Sequence, residues 1–147
     1  LRVGLSYAKG LSLTLDIPII PISTFDLLLL PNIKDIQDKL ITVLIHSHGT
    51  TLYQSRYFLK NNSYVLEEDP ISIILNNISN ENHGTIMYCG PEHLLDNINP
   101  LSSSVHIVSP AEKNLIDIGI KHFDLLKTKS INNLVPNYIG SFNTGKK

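Results

Sequence analysis

The order of apolar and polar positions along the chain predicts alternating helices and strands. Apolar side chains recur at helical spacing from the first residue, and no capping residue precedes them. We therefore expect a helix over residues 1–15, in a polypeptide that continues upstream of Leu1. Residues 17–22 are apolar and rich in isoleucine, which predicts a short strand. Because Pro18 and Pro21 remove two main-chain donors, this strand belongs at an edge or a strand end.

A capping signal opens the next element. Ser23, with Asp26 three residues later, resembles a capping box and predicts a short helix that Pro31 ends. The polar and charged residues 32–39 then separate two parts of the chain. We predict one lobe over residues 1–39 and a second over residues 40–147.

The second lobe begins with two strands that form a hairpin. Residues 40–47 are rich in β-branched side chains, the turn His48-Gly49-Thr50 follows, and residues 51–59 return. Asp69 before Pro70 provides an N-cap and a first helical residue, which predicts a helix over residues 71–78. The remaining predicted elements are strands at residues 64–67, 84–89 and 105–108, the last one buried, and a short helix within residues 90–98.

The clearest capping signal lies near the end of the chain. In Ser109-Pro110-Ala111-Glu112, serine caps a helix, proline takes the first helical position and glutamate reaches back. The helix is expected to run to about Leu126, followed by an apolar tail at residues 134–139 that docks on the body. Its predicted buried face consists of Leu115, Ile116, Gly119, Ile120 and Phe123. Together these elements define an α/β or α+β protein.

Composition narrows the class further. The 147 residues are 42% hydrophobic and 17% charged, which is typical of a globular domain. The net charge of −1 argues against a surface built to hold nucleic acid alone, and Lys146 and Lys147 form only a short basic tip. The single Cys89 excludes an internal disulfide, reads as a buried structural thiol, and fits a cytoplasmic location. No signal peptide opens the sequence and no apolar run has the length of a membrane span.

The sequence offers one weak metal-site candidate. His46 and His48 are two residues apart, so on a regular strand both side chains would share one face. A third ligand nearby is missing, and the other histidines lack ligand spacing. Motifs for a serine nucleophile, a phosphate loop or a dinucleotide site are also missing. We therefore expect no catalytic set and no cofactor on this chain.

Two segments near the start resemble the TsaB (YeaZ) family and its paralogue TsaD. They are Leu1-Arg2-Val3-Gly4-Leu5-Ser6-Tyr7-Ala8-Lys9-Gly10-Leu11 and Leu15-Asp16-Ile17-Pro18-Ile19-Ile20-Pro21-Ile22-Ser23-Thr24. In both families these residues form a helix and a strand of an actin-like ATPase (ribonuclease H-like) fold. TsaD continues with a His-x-x-x-His metal pair, whereas this chain continues with Ser23-Thr24-Phe25-Asp26-Leu27-Leu28, as TsaB does.

The resemblance is looser after the first thirty or so residues. TsaB proteins often carry Asp-Ala-Arg-x-Gly-Glu-Val-Tyr in the hairpin; here Tyr53 matches, but His46 and His48 replace the acid and the arginine. Ser109-Pro110-Ala111-Glu112 resembles the entry to the family's last helix. Pro136-Asn137-Tyr138-Ile139 resembles its closing Pro-x-Tyr-Leu-Arg, with Gly140 in place of arginine. The Gly-rich turn that precedes the helix in the family lies outside this chain.

The resemblance implies a non-catalytic partner subunit. TsaB binds TsaD, together with a TsaE-like ATPase, so that TsaD can place a threonylcarbamoyl group on adenosine in tRNA; without TsaD it forms a homodimer. ATP or ADP and metal are then expected on the partner subunits, and tRNA only through the complex. Gly4, Ala8 and Ser12 form a small-residue face on the first helix, and such faces let a second helix approach closely. We therefore predict that Leu5, Ala8, Lys9 and Ser12 lie at the partner interface, unless that face packs inside its own lobe.

Two alternatives remain at this point. One is an enzyme, either a TsaD-like metalloprotein or a peptidase-like (glycoprotease-like) hydrolase; stoichiometric iron or zinc would favour it. The other is an interaction module of the same fold with a different client. Failure to bind a TsaD-like protein would favour the second.

Overall fold

A computed structural model describes residues 2–78, 82–128, 131–136 and 138–139 of the chain. Two helices come first, α1 (Arg2–Leu15) and α2 (Thr24–Leu29). The strands β1 (Leu40–His48), β2 (Thr51–Lys60), β3 (Ser63–Leu66) and β4 (Ile71–Ile74) follow. The later elements are β5 (Thr85–Cys89), α3 (Leu95–Ile98), β6 (Val105–Ile107), α4 (Glu112–Lys121) and α5 (Phe123–Leu126).

The described strands form one mixed sheet. Its order is β3-β2-β1-β5-β6, and β4 pairs with the other end of β2. β1 and β2 are an antiparallel hairpin in which Leu40 faces Phe58. β5 lies parallel to β1, and β6 lies parallel to β5. The structure therefore confirms the type and position of four predicted elements: the hairpin, the strands β3 and β5, and the short helix that follows β5.

Both faces of the sheet are covered, because side chains of β1 alternate between two apolar clusters. Ile41 and Val43 pack with α2 through Phe25, Leu28 and Leu29. Leu44 packs on the opposite face with Leu94, the residue before α3, and with Ile98, the last residue of α3. Continuous burial of Leu40–Leu44 on both faces is what a central strand of an α/β sheet requires. The predicted α/β class is confirmed.

Ser23 caps α2 as predicted, although Asp26 Oδ1 accepts from Tyr57 instead of completing a capping box. Ser23 Oγ accepts a hydrogen bond from the Phe25 amide at 3.2 Å, and Ser23 itself is extended. The capping signal at α4 does not work as predicted. The residue before the helix is Ala111, which makes no side-chain cap, so the predicted Ser109 cap is wrong.

Two predicted elements have a different structure. Residues 71–78 were expected to be a helix, but Ile71–Ile74 form β4 and Leu75–Asn77 a single 3-10 turn. Residues 71–74 pair with β2, so the three β-branched isoleucines among them and an available partner strand outweigh the Asp69-Pro70 signal. Residues 17–22 form no regular strand: Ile19 alone makes a bridge, to Thr128.

Burial also corrects two predictions. The predicted buried strand at residues 105–108 is an edge strand in which His106 and Ile107 are exposed, although Val108 is buried. In α4, Ile118 is buried at 6% exposure, whereas Ile120 is 73% exposed. Of the predicted buried face only Gly119 is buried; the exposed members are Leu115, Ile116, Ile120 and Phe123.

The end of the chain contributes to the core. Ile131 is buried, and Ile139 packs against the cluster that holds α2 on the sheet. Within the predicted tail, Ile139 docks on the body, whereas Val135 and Tyr138 are exposed. Asn137, Gly140, Lys146 and Lys147 lie outside the described residues. The division into lobes at residues 39 and 40 stays a prediction.

Candidate partner interface

Helix α1 is held at both ends by polar contacts. At its start, the Arg2 guanidinium donates from Nε to the Tyr138 hydroxyl at 2.9 Å and stacks over the same ring. At its end, Ser12 Oγ donates to the Ile17 carbonyl at 2.5 Å, and the Ile17 amide donates to the Ser12 carbonyl. Asp16 adopts a positive φ of 49°, so the chain turns sharply after the helix.

The four predicted interface residues lie together on the less exposed side of α1. Ser12 is buried, and Leu5, Ala8 and Lys9 are half-buried. Ser12 is occupied by the contact with Ile17 that ends the helix. Whether Leu5, Ala8 and Lys9 touch a partner stays a prediction.

The opposite side of α1 carries an exposed apolar ridge that the sequence reasoning did not single out. Val3 is 84% exposed and Tyr7 is 70% exposed, and Leu11 and Leu15 continue the row at four-residue spacing. That spacing places them on one helix face. The apolar spacing predicted the helix, but it could not show that Val3 and Tyr7 face solvent.

Small residues leave room beside the ridge. A Cβ atom added at Gly4 or Gly10 would meet nothing within 4 Å. Neither glycine is therefore required by packing within the described part of the chain. Another helix could approach α1 closely at both positions.

A second exposed apolar face lies on α4. Gly119 on this helix packs against the side chains of Ile20 and Ile22. A Cβ atom added at Gly119 would lie 3.8 Å from Ile20 Cδ1 and 4.0 Å from Ile22 Cδ1. Ile116 and Ile120 are neighbours of Gly119 on the helix and are exposed. Residues 20–22 thus lie against a helix whose apolar surface extends beyond them.

The structure does not place the two histidines of the hairpin on one face. The register of β1 and β2 shifts between His46 and His48, which breaks the alternation that would place both on one face. His46 Nε2 lies 3.1 Å from the Gly49 carbonyl, and His48 Nδ1 lies 3.1 Å from Ser47 Oγ. Among the described residues, no three His, Cys, Asp or Glu side chains are grouped so as to hold a metal ion.

Cys89, at the end of β5, is half-buried, so the prediction of a buried thiol is wrong in its degree of burial. Burial raises the pKa of its thiol. A raised pKa lowers the thiolate fraction and with it the nucleophilicity. The environment thus supports the reading of Cys89 as a structural thiol.

An open cleft of about 760 Å³ lies where β1 and β5 begin. Asp38, at its rim, accepts a hydrogen bond from Thr85 Oγ1 at 2.5 Å. Gly84, on its floor, has a φ of +60°, and an added Cβ would lie 2.0 Å from the Leu40 carbonyl oxygen. The lining side chains vary in exposure and in chemistry, and taken singly they indicate no particular ligand.

None of the described helices has the length and apolar character needed to cross a membrane. No family model matches the chain, and no curated protein matches it.

Solved structures do match. One is a crystal structure of a protein described by its similarity to peptidase YeaZ from Pseudomonas aeruginosa, with a TM-score of 0.67 at 13% identity. The match covers 95% of this chain and 67% of that one. The other is YeaZ from Pseudomonas aeruginosa, with a TM-score of 0.68 at 12% identity, covering 94% of this chain and 67% of that one.

The chain therefore has the mixed α/β fold of these YeaZ-like structures. At this level of identity the likeness concerns the fold. The candidate site that the geometry offers on it is the surface of α1.

Proposed function

We propose that this chain is a non-catalytic partner subunit in the synthesis of threonylcarbamoyladenosine in tRNA. It acts by binding a TsaD-like catalytic subunit through α1, and a TsaE-like ATPase joins the complex. ATP or ADP and metal belong to the partner subunits, and tRNA is reached only through the complex. In the absence of the partner, two copies associate. The setting is the cytoplasm.

The observation that carries the proposal is the exposed apolar ridge on a helix of YeaZ-like fold. Val3, Tyr7 and Leu11 expose apolar side chains to solvent. Burying this apolar surface against a partner is favourable. Tyrosine is among the side chains enriched at the centres of protein interfaces. Gly4 and Gly10 add the open space that a closely packed helix needs.

The predicted interface residues lie on the other side of α1 from Val3 and Tyr7. Leu5, Ala8 and Lys9 are half-buried, so each keeps part of its surface for a partner. Ser12 supports the site indirectly, because its hydrogen bond to Ile17 fixes the end of the helix. We therefore place the interface on Val3 and Tyr7, and Leu5, Ala8 and Lys9 form a second, less exposed contact face of α1.

A binding experiment with matched variants tests this function. The chain is mixed with the TsaD-like protein of the same source, and the complex is measured by size-exclusion chromatography with light scattering. We expect a one-to-one complex, which Val3→Arg weakens at least ten-fold. Val65→Arg is the matched control, since Val65 is also an exposed valine but lies on β3.

The outcomes are distinct. A complex that both variants leave intact would place the interface elsewhere on the molecule. Absence of a complex at micromolar concentration would remove the proposed function and leave the fold unchanged. Ala8→Arg then tests the less exposed face of α1, and it is expected to weaken the complex less than Val3→Arg.

A further inference from the structure

The cleft where β1 and β5 begin has a largely apolar floor. Its apolar lining consists of Leu40, Phe58, Pro100 and Leu101. Leu40 is buried and pairs with Phe58 across the β1–β2 ladder, while Leu101 packs on the apolar cluster around α3. Phe58 keeps 41% of its surface exposed, so its ring has apolar area left for a ligand.

Hydrogen bonds hold the polar rim of this cleft in place. The Leu59 amide donates to the Lys39 carbonyl at 2.8 Å, which ties the residue before β1 to β2. Asn82 Oδ1 accepts from the Gly84 amide at 2.8 Å, and Ser102 Oγ donates to the Gly84 carbonyl. Both sides of the cleft are therefore ordered before a ligand arrives, and an ordered site loses less entropy on binding.

Two opposite charges line the cleft without pairing with each other. They belong to Asp38 and Lys39. Asp38 Oδ2 accepts from Thr85 Oγ1, which leaves Oδ1 for a further donor. Within the part of the chain that the structure describes, the Lys39 ammonium forms no ion pair. A ligand with one charge would meet a like charge beside the opposite one, whereas a ligand with both charges meets a partner for each.

We infer that this cleft binds a free α-amino acid with a large apolar side chain. The Asp38 carboxylate accepts from the ammonium group of the ligand, and the Lys39 ammonium pairs with its carboxylate. Phe58 and Leu101 contact the side chain of the ligand. Ser103, an exposed residue of the lining, offers a further hydroxyl group. The inference is independent of the helix-mediated function proposed above.

The size of the cleft selects among amino acids. Small-molecule sites in proteins measure about 300–1,000 Å³, and this cleft of about 760 Å³ lies in that range. Glycine or alanine would leave the apolar floor in contact with water, so an aromatic or large aliphatic side chain fits better. Phenylalanine is the probe, since its ring can stack on the ring of Phe58.

Three related ligands test the charge requirement. L-Phenylalanine carries both charges, N-acetyl-L-phenylalanine carries only the carboxylate, and L-phenylalaninamide carries only the ammonium group. Each is titrated into isotope-labelled chain while the amide chemical shifts are followed. Phenylalanine is expected to shift the amide resonances of Phe58, Gly84 and Ser103. Each analogue is expected to bind about ten-fold more weakly, because it loses one charge-assisted contact.

Variants assign each charge to a residue. Lys39→Gln is expected to weaken binding of phenylalanine about ten-fold and to leave binding of phenylalaninamide unchanged, since the amide has no carboxylate. Asp38→Asn is expected to weaken binding of phenylalanine to a similar extent and to leave binding of N-acetylphenylalanine unchanged. Its side-chain oxygen can still accept from Thr85. Lys60→Gln is the matched control, because Lys60 is an exposed lysine at the end of β2 and outside the lining.

Three results would overturn the inference. Unchanged amide resonances of the lining residues at millimolar phenylalanine would mean that the cleft binds no amino acid. Equal binding of all three ligands would mean apolar contact without recognition of charge. Tighter binding of either analogue would assign the cleft to one end of a peptide, because the two analogues resemble the two peptide termini.

Discussion

The hydroxyl of Tyr57 donates a hydrogen bond to Asp26 Oδ1 at 3.0 Å, joining the middle of β2 to the first turn of α2. Tyr57 is buried and belongs to the apolar cluster that holds α2 on the sheet. This contact is one of the polar links between residues 1–39 and residues 40–147. Burial, and then the negative charge of Asp26, raise the pKa of Tyr57.

Removing the hydroxyl tests the strength of this link. Tyr57→Phe leaves a half-buried carboxylate without its donor, so we expect the free energy of unfolding to fall by about 1–3 kcal/mol. Urea denaturation followed by circular dichroism measures it. Tyr64→Phe is the control, because its hydroxyl donates to the Asp38 carbonyl at an exposed position. A loss as large in the control would show that the hydroxyl of Tyr57 has no special role.

Asp26 also predicts a pH dependence. Burial raises its pKa above 3.8, although the hydrogen bond from Tyr57 lowers it in part. The folded state therefore holds this proton more tightly than the unfolded state, and stability falls as pH rises from 3.8 through the folded pKa. Asp26→Asn lacks this titration. The stability of the parent relative to Asp26→Asn should decrease as pH rises through this window, and a constant or rising difference would contradict the assigned shift.

Two glycines with positive φ should differ sharply in their tolerance of alanine. Gly49→Ala adds a methyl group in open space at φ +53° and costs roughly 1–2 kcal/mol for the backbone conformation alone. Gly84→Ala adds the same strain and also a clash with the Leu40 carbonyl oxygen, for roughly 1–3 kcal/mol more. Thermal melts of the two variants give the order directly. Equal melting temperatures would mean that β5 can move away from Leu40.

Helix α4 offers a test of which face is buried. Ile120→Lys changes an exposed residue and is expected to alter stability by less than about 0.5 kcal/mol while improving solubility. Ile118→Lys buries a charge and should cost on the order of 3–5 kcal/mol. Denaturant melts of both variants decide between the observed face and the one that periodicity predicts. The reverse order would restore the predicted buried face.

The elements that the sequence predicted well carry their signals locally. The β1–β2 hairpin combines β-branched runs with a Gly49 turn, and Ser23 caps α2 through an amide two residues away. The errors concern information that lies elsewhere in the chain. Residues 71–74 became a strand because β2 offered them a partner, which no local capping signal could reveal.

The candidate site was predicted in outline. The sequence indicated α1 and its small residues, but which face the body would cover depends on contacts with distant residues such as Tyr138. The apolar rows on α1 and α4 were visible as periodicity. Their exposure was not, because a periodic apolar row is the same whether a core or a partner covers it.

The edge strands β3 and β4 occupy the same side of β2 in succession, and this affects how the protein tolerates changes in length. β3 pairs with the residues from Tyr57 to Lys60 and β4 with those from Thr51 to Gln54. Between them, the Glu67 amide bonds to the Arg56 carbonyl at 2.9 Å, and their side chains form an ion pair. An insertion at residues 68–70 would lengthen only the connector between β3 and β4. One extra residue inside β2 would shift its register with β3 or β4 by one residue, and side chains of the shifted strand would then face the opposite side of the sheet. Variation in length along this edge is therefore confined to the connector between β3 and β4.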